Sequence, residues 1–104
     1  MTEMTKRVSL NISSMEVAEM IGKEHNKLMR DIRRYLKQFS QSKIGQSDFF
    51  IETIYVNERG KEYPAFTITR KGCDFLANKL TGQKGTEFTA RYVTRFHELE
   101  ELST

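Results

Sequence analysis

The sequence contains no tryptophan, one proline and one cysteine in 104 residues. Because Cys73 has no second cysteine to pair with, an internal disulfide is excluded, and a reducing cytosol is the expected compartment. No apolar run approaches the roughly 20 residues that cross a bilayer, and the first ten residues lack the apolar core of a signal peptide. These absences predict a cytoplasmic protein that does not contact a membrane.

The chain also lacks the residue spacings that metal sites and common catalytic sites require. His25, His97 and Cys73 are isolated, so none belongs to a paired zinc-ligand motif, and His25 is expected to be structural. A glycine-rich phosphate loop, a nucleophile elbow and a paired-carboxylate site are all missing, and Gly82-Gln83-Lys84-Gly85 is predicted to be a turn between helices. We therefore expect no metal, no cofactor and no enzymatic activity.

The remaining composition is typical of a folded domain. Hydrophobic residues make up 38% of the chain and charged residues 30%. A length of 104 residues allows one domain with a modest core. We predict a single domain over residues 1–104, with residues 1–6 flexible.

Positive charge is abundant and unevenly distributed. The formal net charge is +3, and residues 23–37 contain six basic and two acidic side chains. Residues 86–104 contain two basic and four acidic side chains. Separation of this kind indicates a binding face for a negatively charged partner, because a face made only for solubility would mix the signs.

Five basic residues recur at intervals of four, three, four and three. They are Lys23, Lys27, Arg30, Arg34 and Lys37. On one helix they would occupy an arc of roughly 80°, opposite a set of apolar residues. A short helix from Met15 to Ile21 precedes them, and Gly22 supplies a turn. Two such helices predict a helix-turn-helix DNA reader, whereas the alternative is an ordinary solvated helix face.

The N-terminal turn of this basic helix is expected to read bases. The candidates are Lys23, Asn26, Lys27 and Arg30, because asparagine suits adenine and arginine or lysine suits guanine. Arg34 and Lys37, farther along the helix, are expected to contact backbone phosphates.

A β-hairpin is predicted after the basic helix, from strands at residues 49–56 and 61–69. A four-residue turn at residues 57–60 would place Ile51 opposite Phe66 and both in the core. Pro64 predicts an edge position or a local irregularity. A hairpin in this place is typical of the wing of a winged helix, and Arg59 and Lys61 near its tip are candidate DNA contacts.

The remaining segments complete a predicted α+β fold of the winged helix-turn-helix type. Residues 7–12 alternate as a short strand, and Ser13 or Ser14 is expected to cap the first helix. Two C-terminal helices are predicted, one at residues 70–80 that is capped by Thr69 and ended by Gly82, and one that is capped by Thr86 and reaches about Leu102. The apolar side of the final helix suggests a homodimer contact.

Four segments together resemble the Rha family of phage regulatory proteins. They are GKEHNKLMRDI at residues 22–32, RGKEYPAF at 59–66, ITRKGCDFLANKLTG at 68–82 and FTARYVTRFHELE at 88–100. The resemblance covers roughly residues 10–100. It implies a cytosolic regulator encoded by a phage or prophage, with a DNA-binding, winged-helix-like N-terminal domain. Many relatives add a C-terminal domain, often of antirepressor type, which is expected to be missing here. Cys73 replaces a usual phenylalanine and Gly85 a common alanine.

Two functions are consistent with these observations. The first is a transcriptional regulator of phage or prophage genes that binds double-stranded DNA. The alternative is an antirepressor-type adaptor whose basic face meets an acidic surface of a phage or host regulatory protein. Binding to duplex DNA over a salt series separates the two, because phosphate contacts weaken steeply with salt.

Overall fold

The computed structural model describes residues 10–102 of the chain, as four α-helices and a three-stranded antiparallel sheet. The α+β class is therefore confirmed, while the predictions for residues 1–9 lie outside the described residues. The elements in order are β1 (Asn11–Ser13), α1 (Ser14–Ile21), α2 (His25–Gln41), a 3-10 turn (Gln46–Asp48), β2 (Phe50–Val56), β3 (Glu62–Thr69), α3 (Arg70–Lys79) and α4 (Gly82–Leu102).

The hairpin has a register one residue away from the predicted one. Ile51 lies opposite Thr67, and Phe50 lies opposite Ile68. The predicted pairing of Ile51 with Phe66 is wrong because the Asn57 N–H donates to the carbonyl of residue 61 at 2.9 Å, which leaves a loop of three residues. Since a one-residue shift exchanges the two faces of a strand, Phe50 enters the core and Ile51 remains 39% exposed.

Pro64 lies on β3, the central strand, at a point where only β2 is paired with it. The sheet order is β1-β3-β2, and β1 pairs with residues 67–69 of β3. The Phe66 N–H points away from β2, toward Ser14, so the Pro64 nitrogen two residues earlier points the same way, past the end of β1. The N–H that proline lacks is therefore not needed for a hydrogen bond between strands. Pro64 thus occupies a locally unpaired edge of β3, in agreement with the prediction.

Helices α1 and α2 are joined by a three-residue turn. The Ser13 hydroxyl accepts the Glu16 N–H at 3.1 Å, which confirms Ser13 as the cap of α1. Gly22 ends α1 in the left-handed region at φ 79°, and its N–H and that of Lys23 donate to carbonyls of the last turn. Glu24 is extended, so α2 begins at His25.

Helix α4 begins at Gly82, four residues before its predicted cap, Thr86. Thr69 caps α3 as expected, with its hydroxyl accepting the Gly72 N–H at 3.1 Å. The chain then turns at Leu80, which is extended, and at Gly82, which has φ 61°, and becomes helical at once. Residues 83–85 are helical, not a turn, and the Thr86 hydroxyl donates to the Gly82 carbonyl within the first turn instead of capping the helix.

One hydrophobic core joins the sheet to all four helices. Helix α4 contributes three buried rings to it, from Phe88, Tyr92 and Phe96. Arg95 donates to the Glu16 carboxylate at 2.8 Å and thereby ties α4 to α1. The intramolecular core thus covers much of the α4 surface that suggested a homodimer, and Leu102 at its end is 79% exposed. A dimer through α4 stays a prediction.

Candidate nucleic-acid interface

The exposed side of α2 carries most of the basic residues that the spacing predicted. Lys27, Arg30, Arg34 and Lys37 are all exposed, and Asn26 is exposed in the first turn of the same helix. The opposite side of α2 is buried and apolar. The helix therefore presents positive charge along an open face while its other face holds it to the core.

Lys23 does not lie on this helical face, so that part of the prediction is wrong. It belongs to the turn before α2, because Gly22 is left-handed and Glu24 is extended. Its ammonium donates to the Asp31 carboxylate at 2.7 Å, and the other Asp31 oxygen accepts from Arg34 at 3.2 Å. Asp31 thus lies at the edge of the basic face and neutralises part of it.

The pKa of Asp31 reflects these two contacts. Partial burial acts to raise it, but the hydrogen bond and charge of Lys23, together with the charge of Arg34, hold the pKa below its ordinary value. Asp31 is therefore a carboxylate near neutral pH, and it fixes the turn against α2.

Arg33 is a further basic residue of α2 that the repeat of four and three passes over. It is exposed and lies on the side of the helix that faces the hairpin. Arg33 lies four residues before Lys37, and this spacing could have identified it from the sequence as a neighbour of Lys37 on the helix. Arg33 and Lys37 line a groove of about 460 Å³ between α2 and the hairpin.

The groove has an apolar floor and mixed walls. Met29 and Leu36 of α2 line one side and Ala65 and Phe66 of β3 the other, while Glu52 supplies a carboxylate on the hairpin side. The basic face of α2 therefore continues from open solvent into a concave surface beside the hairpin.

The hairpin rests on the N-terminal end of α2 through stacked aromatic rings. Tyr55 and Tyr63 stack with centroids 5.3 Å apart, and the His25 ring meets Tyr55 edge-on at 5.7 Å. A smaller cavity of about 180 Å³, lined in part by Asn26 and Arg33, lies beside these rings. The hairpin and the first turn of α2 thus share one surface.

The predicted hairpin contacts lie at the turn. The Asn57 side-chain oxygen accepts the N–H groups of Arg59 and Lys61 at 3.0 and 2.9 Å, which fixes the loop. Arg59 is exposed, and the Lys61 ammonium lies 5.4 Å from the Tyr63 ring centroid. Lys61 is therefore held near the surface that Asn26 and Arg33 share.

A buried serine joins the hairpin to both helices. The Ser14 hydroxyl oxygen is fully buried, accepts the Phe66 N–H at 3.0 Å and lies 2.8 Å from His25 Nε2. Burial and, second, the charge of Arg33 lower the pKa of His25. The Ser14 hydroxyl and the neutral His25 ring share a hydrogen bond, which is a structural contact of the kind expected for His25.

Three further features concern metal binding, membrane spans and the reactivity of Cys73. Among residues 10–102, there is no group of three histidine, cysteine or acidic side chains that could hold a metal ion. The same part of the chain has no helix long and apolar enough to span a membrane. Cys73 is buried, and burial raises the pKa of its thiol to about 12, which leaves it unreactive.

A family model described as phage regulatory protein Rha matches residues 12–101, which is most of the chain. The chain belongs to the Rha family. The resemblance that four sequence segments indicated is therefore confirmed, and the basic face and hairpin described above are features of a member of a phage regulatory family.

Two curated relatives of this Rha chain are longer than it is. It is 43% identical over 101 residues to the "SPbeta prophage-derived putative antirepressor protein YoqD" of Bacillus subtilis (strain 168), a match that covers 97% of the chain and 40% of the relative. It is 26% identical over 89 residues to an uncharacterized protein of Haemophilus influenzae, covering 86% of the chain and 51% of that protein. The chain spans about half or less of their lengths, and no solved structure matches it.

Proposed function

We propose that this Rha chain binds double-stranded DNA and regulates phage or prophage transcription. In this proposal α1, the turn and α2 form a helix-turn-helix, and the β2–β3 hairpin is its wing. The observation that carries the proposal is the basic face of α2, formed by Lys27, Arg30, Arg33, Arg34 and Lys37. Such a face neutralises phosphates and releases counterions, which supplies most of the affinity for nucleic acid.

The two ends of the basic face have different tasks in this proposal. Asn26, Lys27 and Arg30 lie in the first turns of α2, the part of a recognition helix that meets base edges in a major groove. Arg34 and Lys37 lie farther along and contact phosphates, which position the protein. Lys23 leaves the reading set, because it lies in the turn before α2 and not on the exposed face of that helix.

The hairpin adds contacts beside the helix. Arg59 extends from a loop that Asn57 holds in one conformation, so its backbone needs little ordering on binding. Lys61 lies nearer to α2. We assign Arg59 to an adjacent minor groove and Lys61 to a phosphate.

The proposed activity is binding without catalysis, in the cytoplasm of a bacterial host, where the DNA is accessible. A homodimer would match an operator with two half-sites. The α4 surface remains the proposed contact, although three of its rings are already used by the core.

A salt titration tests DNA binding directly. The variant Lys27→Ala/Arg30→Ala/Arg34→Ala removes three cations from the α2 face, so the slope of log K against log salt should fall by roughly 0.9 per lost phosphate contact. Fluorescence anisotropy with a duplex pool from 50 to 300 mM salt, a range on the order of physiological ionic strength, measures the slope. A control variant, Lys84→Ala/Arg91→Ala on α4, should keep the wild-type slope.

The second candidate function is an antirepressor-type adaptor that binds a repressor. It is favoured by the name of the Bacillus subtilis relative, although the chain covers 40% of that protein. In this case the basic face meets an acidic protein surface. Failure of the wild-type chain to bind any duplex at low salt would reject DNA binding and leave the adaptor as the better proposal.

A further inference from the structure

Tyr35 lies on the side of α2 that faces away from the hairpin. Its ring meets the Phe75 ring of α3 edge-on, with centroids 5.1 Å apart. The hairpin side of α2 is instead marked by Arg33 and Leu36, which line the groove. The basic face therefore lies between two flanking elements, the hairpin on one side and α3 on the other.

The α3 flank carries a lysine that two aromatic rings hold in place. The Lys79 ammonium lies 5.4 Å from the Tyr35 ring centroid and 5.0 Å from that of Phe75. An exposed lysine normally loses considerable side-chain entropy when it is fixed by a contact. Because cation–π contacts already restrict Lys79, it loses less of that entropy on meeting an anion.

Arg34 approaches the same Tyr35 ring from the basic face. Its guanidinium carbon lies 5.2 Å from the ring centroid. One guanidinium nitrogen donates to Asp31, but a guanidinium has five N–H donors, so donors remain for another partner. Two cations therefore lie within 5.4 Å of one ring centroid, and an oxyanion that contacts both of them would offset their mutual repulsion.

We propose that Lys79, with Arg34 at the same Tyr35 ring, contacts a backbone phosphate of DNA on the side of α2 opposite the hairpin. The inference rests on the proposed DNA binding and extends it to α3. A helix in the major groove has a phosphodiester strand on each side of it, and the hairpin cations Arg59 and Lys61 can reach only one of them. Lys79 supplies the charge for the other strand.

Lys79 also has a structural role that the experiment must separate from phosphate binding. It lies in the last turn of α3, where a cation interacts favourably with the helix dipole. Loss of that interaction lowers thermal stability but does not change how DNA affinity depends on salt. The salt slope is therefore the diagnostic quantity.

The test compares Lys79→Ala, Lys79→Arg and the exposed α4 control Lys84→Ala, with a melting curve for each. Lys79→Ala should lower the salt slope by about 1 and weaken binding about three- to tenfold at 100 mM salt, a concentration on the order of physiological ionic strength. Lys79→Arg should keep the slope because it keeps the charge, and Lys84→Ala should behave as the wild type.

Three results would overturn the inference. An unchanged slope in Lys79→Ala, while Arg30→Ala on the central face loses slope, would reject Lys79 alone and leave the proposed function standing. Equal losses in Lys79→Ala and Lys84→Ala would show an unspecific effect of charge. Absence of duplex binding by the wild-type protein would overturn the proposed function and this inference together.

Discussion

At the scale of single residues, Ser14 makes the most consequential contact in the molecule. One buried hydroxyl accepts a hydrogen bond from β3 and makes another with the first residue of α2. A sequence pattern could mark Ser14 as a helix-start residue, but not as a link between three elements, because Phe66 lies 52 residues away. Because an unpaired polar group in a core is costly, we expect this one hydroxyl to contribute measurably to the free energy of unfolding.

Replacement of Ser14 by alanine should destabilise the fold. Ser14→Ala leaves the Phe66 N–H and His25 Nε2 without their partner, which costs roughly 1–3 kcal/mol. Urea unfolding followed by circular dichroism measures the change. Ser40→Ala, at an exposed position of α2, is the matched control and should stay within about 0.5 kcal/mol of the wild type. Equal stabilities of Ser14→Ala and Ser40→Ala would contradict the role given to the hydroxyl.

Protonation of His25 should make stability depend on pH. Because burial lowers its pKa below 6.5 in the folded chain, the unfolded chain binds the proton more readily. Stability is therefore greatest above pH 6.5 and falls as the pH drops below that value. Unfolding free energies between about pH 7.5 and pH 5 measure the effect. His25→Gln should flatten the curve, and a slope equal to that of the wild type would show that another group is responsible.

Asp31 makes stability depend on pH in a more acidic range than His25 does, because its side chain is a carboxylic acid. Its pKa is held below 3.8, so the stability that its contacts contribute is present above that value and is lost as the pH falls through and below it. The two titrations are therefore separable in one series.

At the scale of secondary structure elements, the junction of α3 with the segment before β2 is packed too closely to admit a side chain at position 72. A Cβ atom on Gly72 would lie 2.3 Å from the Phe49 carbonyl oxygen and 2.7 Å from an Ile68 methyl group. The clash is with a backbone atom, so it can be relieved only if α3 moves. The Phe49 carbonyl is also held in place because it accepts the Thr69 N–H. Glycine is required at position 72 for this close approach.

Gly72→Ala should therefore be strongly destabilising. Overpacking of this kind costs about 1–3 kcal/mol, and the backbone contact argues for the upper end. Gly45→Ala is the matched control, because its added Cβ would meet nothing within 4 Å and Gly45 has an ordinary negative φ of −68°. Thermal melting of both variants is the measurement. A melting temperature of Gly72→Ala close to that of Gly45→Ala would mean that α3 can shift freely.

The elements show why some boundaries were predictable and others were not. The caps Ser13 and Thr69 and the left-handed Gly22 follow from local chemistry: Thr69 and Gly22 were predicted correctly, and Ser13 was one of the two predicted caps of α1. The hairpin register failed because the Asn57 side chain closes a shorter loop than residue spacing suggests. Gly82 was assigned to the end of one helix, but a glycine with positive φ can equally begin the next.

At the scale of the whole molecule, the α+β class followed from periodicity, whereas the surroundings of the basic face did not. Pairing of Lys23 with Asp31 needs a turn that breaks the helix between them, so a single helical projection misplaces Lys23. The groove beside Arg33 depends on where the hairpin docks, which residues far apart in sequence decide. The sequence was therefore sufficient to identify most of the basic residues, but not to predict the shape of the surface that they form.

The hydrogen bond between Ser14 and Phe66 also offers a way to measure how often the hairpin separates from α1 and α2. Phe66 donates its N–H on the side of β3 where β1 has already ended, so no strand protects that amide hydrogen. Its exchange with solvent deuterium requires the hairpin to separate from α1 and α2. A slow exchange rate at Phe66 would therefore record how rarely the hairpin separates from the two helices, and faster exchange there than in the β2–β3 ladder would reveal independent motion of the hairpin.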